Sequence, residues 1–75
     1  MMVAEQDFLR FVARVLGVSQ DCLTLDLAYG SIPEWDSVMH LRLVMELEAA
    51  YGVSIPIEVV PELKTLGDFH GRISR

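Results

Sequence analysis

The sequence predicts an all-α fold: a small bundle of three main helices plus one short helix, with a long first loop. Three observations predict it. Apolar residues recur at intervals of three and four in three separate runs. Glycine and proline punctuate the ends of those runs. One stretch, Leu23, Leu25 and Leu27, alternates with polar residues as a strand would, but no second strand candidate exists to pair with it.

The first helix is expected from Val3 to Leu16. Phe8, Phe11, Val12, Val15 and Leu16 form its buried stripe, Glu5, Asp7, Arg10 and Arg14 its polar side, and Gly17 its stop. Residues 17–35 then form a connection too long for a compact domain unless it packs or functions in its own right. Its leucines read as anchors that plug the bundle, Asp21-Cys22-Leu23 as one helical turn, and Tyr29-Gly30-Ser31-Ile32-Pro33 as turn chemistry. The second helix is expected over Ser37 to Tyr51, with Asp36 as N-cap and Gly52 as its left-handed terminator. Ile57 to Leu63 has room for one short helical turn, which Pro61 keeps from extending. The last helix begins after Thr65, whose spacing to Asp68 is that of a capping box, and turns Leu66, Phe69 and Ile73 inward. Gly67 and Gly71 each weaken it by roughly 1 kcal/mol, so its end is expected to fray.

Composition limits the function. The chain has 75 residues and is 52% hydrophobic, enough for one folded domain but small for a deep active site. A net charge of −5 with six scattered basic residues argues against nucleic acid and suits basic protein partners. No apolar run is long enough to span a membrane, and the start lacks a basic signal-peptide region, so a cytoplasmic monomer is the expectation. Cys22 is the only cysteine, with no disulfide or zinc partner, and reads as an inert, partly buried thiol.

The second helix carries the chemistry. Ser37 falls in its first turn, where free backbone N–H groups and the positive end of the helix dipole would favour an attached phosphate. On a helical wheel Leu43, Val44, Leu47 and Tyr51 share the core face. Val38, Leu41 and Met45 form a second apolar stripe beside Ser37. That stripe either packs on the long loop or is an exposed docking patch. His40 shares a face with Ser37, but no nucleophile elbow or orienting acid supports a catalytic pair, and a His packed where loop meets bundle is the plainer reading. His70 reads as solvated, and Glu46, Glu48, Glu58 and Glu62 as a solvated acidic face.

The segment Asp36-Ser37-Val38, Leu43, Leu47-Glu48, Tyr51-Gly52-Val53 and Ile55-Pro56, continued by Thr65-Leu66 and Ile73, resembles the acyl carrier protein family. The resemblance covers roughly residues 35–73, with vaguer agreement in the first helix. It implies an acyl-carrier-like four-helix bundle making one carrier domain over residues 1–75. It implies that Ser37 bears 4′-phosphopantetheine, its hydroxyl attacking the β-phosphate side of coenzyme A on a phosphopantetheinyl transferase, with Asp36 at the transferase interface. The cofactor thiol would hold an acyl or aminoacyl group as a thioester and shuttle it between loading and acyl-transfer enzymes of fatty acid, polyketide or specialised-metabolite biosynthesis. The chain itself would not be an enzyme. Trp35, Val38, Leu41 and Met45 would meet those partners, since carriers of this family dock mainly through this helix.

The chain departs from the family pattern at several places. Val38 replaces a commoner Leu, Pro33-Glu34-Trp35 replaces Leu-Gly-x, Arg42 stands on a usually more acidic helix, and Pro61 interrupts the third helical segment. Trp35 looks like the stand-alone acyl, D-alanyl and aminoacyl carriers of specialised pathways. The alternative reading is a small helical adaptor that is never modified.

Overall fold

A computed structural model describes residues 3–74. Three α-helices form the bundle: α1 over Glu5–Leu16, α2 over Ser37–Tyr51 and α3 over Leu66–Ile73. The described residues contain no strand, only one isolated antiparallel bridge between Ala28 and Thr65. The expected short fourth helix is a single 3-10 turn, Val60–Glu62, with Pro61 at its start. Proline offers no N–H for propagation, so the segment closes one turn and stops. A second such turn, Gln20–Cys22, stands where one helical turn was expected, and Ser19 caps it.

Helix α1 starts two residues later than its periodicity suggests. Ala4 at its N-cap offers no side-chain acceptor, so the first turn relies on Glu5 and Asp7 against the helix dipole. It ends at Gly17, with φ 72°, where the N–H groups of Gly17 and Val18 both reach the Ala13 carbonyl. Phe8, Leu9, Val12, Ala13 and Leu16 are buried along it, while Phe11 and Val15 are only half-covered. Helix α2 has the expected bounds and caps, and Leu43, Val44 and Leu47 face the core. Its Glu48 is not part of a solvated acidic face. Glu48 Oε2 accepts the Ile55 N–H at 2.7 Å, so the carboxylate ties the chain after α2 back onto the helix.

The long loop is held by side chains and backbone together. Leu23 is buried, and Leu25 and Leu27 pack half-covered against the core. The Leu25 and Leu27 carbonyls accept N–H groups of Gly67 and Leu66, and Tyr29 N–H donates to the Lys64 carbonyl at 2.7 Å. These bonds clasp the loop to the start of α3. They also explain Gly67: a Cβ there would stand 3.1 Å from the Leu25 carbonyl oxygen. The α3 capping box is complete, with Thr65 Oγ1 accepting from Asp68 N–H and the Asp68 carboxylate accepting from Thr65 N–H.

Two side chains differ from expectation. His70 is half-buried, not solvated: its Nε2–H donates to the Val3 carbonyl at 2.7 Å and its ring meets Phe8 edge-on, because α3 packs beside the start of α1. Cys22 is exposed rather than partly buried, because the 3-10 turn that holds it buries none of its residues.

Candidate functional site

Asp36 and Ser37 begin α2. Asp36 is extended (φ −99°, ψ −173°), its Oδ1 accepts Met39 N–H at 2.9 Å, and its carbonyl accepts His40 N–H at 2.8 Å. A short acidic side chain fits this N-cap because it satisfies an otherwise orphaned donor. Ser37 is the first helical residue and is exposed. Its hydroxyl stands open at the positive end of a fifteen-residue helix.

Trp35 corrects an expectation. It is 0% exposed and belongs to the core, so it offers no surface to a partner. Its indole N–H donates to His40 Nδ1 at 3.0 Å, and the two rings lie nearly parallel, 26° apart. The polar tip is satisfied inside the protein, so the ring can bury without penalty. Its effect is to anchor the loop immediately before Asp36 and Ser37.

His40 lies where loop meets bundle. Because indole only donates, His40 Nδ1 must be the acceptor, and Nε2 therefore carries the proton and donates to the Val60 carbonyl at 3.1 Å. Both ring nitrogens are committed. His40 has no free lone pair with which to deprotonate Ser37, although both border the same cleft.

That cleft was not visible in the sequence. It holds about 390 Å³ between the first turns of α2 and the Val60–Glu62 turn. Leu41, Val60, Pro61 and Leu63 supply apolar wall, and Tyr29 and Lys64 border it. These residues come from three separate stretches of chain, so no local motif could have found them.

The second apolar stripe is exposed. Val38, Leu41 and Met45 are 70%, 48% and 68% accessible, so the stripe does not pack on the long loop. Tyr29 and Ile57 are also exposed large apolar residues, and no helical periodicity singles them out in the sequence. Arg42, the departure from the acidic pattern, lies 3.8 Å from Glu46 one turn on. No group of three His, Cys, Asp or Glu side chains among the described residues is placed to hold a metal ion.

The site thus holds an exposed Ser37 on a capped helix start, beside an apolar cleft and a His40 whose ring nitrogens are both bonded. Comparison with known proteins shows the family. The family model for the phosphopantetheine attachment site matches residues 6–73. The chain is similar to the acyl carrier protein of Tropheryma whipplei (strain Twist), 29% identical over 72 residues, 91% of this chain and 88% of that one. It is similar to the acyl carrier protein of Arthrobacter sp. (strain FB24), 30% identical over 71 residues, 89% of this chain and 88% of that one. The chain belongs to the phosphopantetheine-binding acyl carrier protein family. It is a carrier and not an enzyme, and its cofactor is covalent 4′-phosphopantetheine. The match extends through α1, beyond the half of the chain in which the motifs stand out.

Proposed function

We propose that Ser37 is the attachment residue and that the chain carries an acyl or aminoacyl group as a thioester on the phosphopantetheine arm, passing it between biosynthetic enzymes. The observation that carries the reading is the exposed Ser37 hydroxyl on the first turn of α2, directly after the Asp36 cap. The residues present fit the group. The phosphodiester would lie at a helix N-terminus, and Lys64 borders the same cleft as Ser37. On a phosphopantetheinyl transferase, Ser37 Oγ would form a bond to the pantetheine-bound phosphorus of coenzyme A. The pyrophosphate bond would break, 3′,5′-ADP would leave, and the Ser37 proton would pass to the transferase.

Asp36, exposed directly before Ser37, serves as a transferase contact while its Oδ1 caps the helix. The exposed stripe of Val38, Leu41 and Met45 is the docking face for transferase, loading and acyl-transfer enzymes. The arm delivers its cargo at high effective concentration to each docked enzyme, and the chemistry stays with those enzymes.

Intact mass tests the attachment. Apo protein incubated with coenzyme A and a promiscuous transferase should gain one phosphopantetheinyl group, and Ser37→Ala should gain none while staying folded. Modification of Ser37→Ala would move the site to another hydroxyl. A wild-type chain that several transferases leave unmodified would favour the unmodified adaptor.

A further inference from the structure

A second, smaller groove of about 210 Å³ lies between α1 and α2 and shares no lining residue with the cleft beside Ser37. Phe11, Arg14 and Val15 of α1 line one side, Arg42 and Glu46 of α2 the other. Its apolar part is preformed: Phe11 and Val15 are half-covered, and the Phe11 ring stands edge-on to Tyr51 with centroids 5.6 Å apart. Two guanidinium groups border the groove against one carboxylate, a local excess of positive charge in a chain of net charge −5. Glu46 does not use up that excess. Its carboxylate stands 3.8 Å from Arg42 Nε, beyond hydrogen-bond distance, and both side chains are open to water, so the pair contributes little. The terminal nitrogens of the Arg42 fork remain for another carboxylate. Arg14, also exposed, has no ion-pair partner among the described residues. Arg42 lies one turn from both Val38 and Met45, so the groove continues the exposed stripe of α2 onto α1.

Resting on the carrier reading, we propose that this groove is a docking socket for an acidic segment of a partner protein: a Glu or Asp flanked by apolar residues, on an enzyme that works on the arm at Ser37. The partner's carboxylate meets Arg14 and Arg42, and the hydrocarbon beside it covers Phe11 and Val15. A Lys or Arg in the same place would face two like charges. The groove therefore turns away the basic surfaces that suit the rest of this acidic chain, and the partner's footprint extends from α2 onto α1.

The test titrates the unmodified chain with N-acetyl-leucyl-glutamyl-leucinamide and reads amide and arginine side-chain chemical shifts. The peptide should shift Phe11, Arg14, Val15 and Arg42 saturably and leave Tyr29, Val60 and Leu63 in place, and added salt should weaken it. Its glutaminyl and lysyl counterparts should shift none of them. Arg14→Gln, with a wild-type far-UV spectrum, should bind about tenfold more weakly. Arg72→Gln, the same charge change outside the groove, should bind like wild type. Equal binding of the glutaminyl peptide would leave only an apolar patch, and equal shifts from inorganic phosphate only a general anion site. Shifts of the groove with protein concentration alone would make the occupant a second copy of this chain. Any of these, no response to the glutamyl peptide, unchanged binding in Arg14→Gln or equal weakening in Arg72→Gln would overturn the proposal. Intact mass after incubation with coenzyme A and a promiscuous transferase should show wild type and Arg14→Gln modified alike. A wild-type chain left unmodified would sink the carrier reading by itself, since the peptide titration needs no arm.

Discussion

Trp35 and His40 show how one residue's chemistry settles another's. The indole can only donate, which makes His40 Nδ1 an acceptor and holds the ring as its Nε2–H tautomer. Long-range proton–nitrogen correlation spectra should show that tautomer in the folded protein at neutral pH; an Nδ1–H signature would contradict the bond to Trp35. Trp35→Phe keeps most of the ring but strands His40 Nδ1 inside the protein. It should destabilise the fold by about 1–3 kcal/mol in urea unfolding, the usual consequence of a buried polar atom left without its partner. At Asp68 the carboxylate accepts the backbone N–H groups of Lys64 and Thr65, and these bonds hold its pKa below the ordinary carboxylate value. A lowered pKa means that the unfolded chain binds the proton more readily. The stabilisation is therefore present above the ordinary carboxylate pKa and is lost as pH falls through the folded value. Urea midpoints measured from neutral pH down to below about pH 4 should decline, and Asp68→Asn should flatten part of that decline.

Helix α2 has two apolar faces with different fates, and substitutions should separate them. Leu47 is fully buried, so Leu47→Ala should cost roughly 2–5 kcal/mol. Met45 is exposed, so Met45→Glu should change stability by no more than about 0.5 kcal/mol. The same Met45 variant should still slow transfer to a cognate enzyme if the stripe is a docking face. A loss of several kcal/mol at Met45 would instead place the stripe in the core. Helix α3 offers a second contrast. Replacing a helical Gly by Ala ordinarily adds about 1 kcal/mol of helix preference. At Gly71, where a Cβ meets nothing within 4 Å, the substitution should stabilise the protein. At Gly67 the added Cβ meets the Leu25 carbonyl at 3.1 Å, and thermal unfolding should show that gain reduced or reversed.

At the scale of the whole molecule, far-UV circular dichroism should be helix-dominated with no sheet component, since the long loop forms one isolated bridge rather than a strand. The helices, their caps and the exposure of Ser37 were legible in the sequence because they are local. Asp36 and Gly52 bound α2, and Thr65 and Asp68 close a box over three residues. The two faces of α2 follow from helical periodicity alone, though only packing decided that the second face stays open to solvent. What the sequence could not rank was a residue whose role depends on distant neighbours. Trp35 was expected at a partner surface from the family resemblance, but the fold brings Phe69 and His40 around it and turns it inward. Glu48 and His70 read as solvated because their partners, the Ile55 N–H and the Val3 carbonyl, are backbone groups that no residue type announces. The cleft beside Ser37 needed Tyr29, α2 and the turn around Pro61 in one place. The sequence by itself determined the helices and the carrier family, because propensity, capping and periodicity act within a few residues. Only the tertiary structure decided what Ser37 faces, because a cavity is made by residues that meet only when the chain has closed.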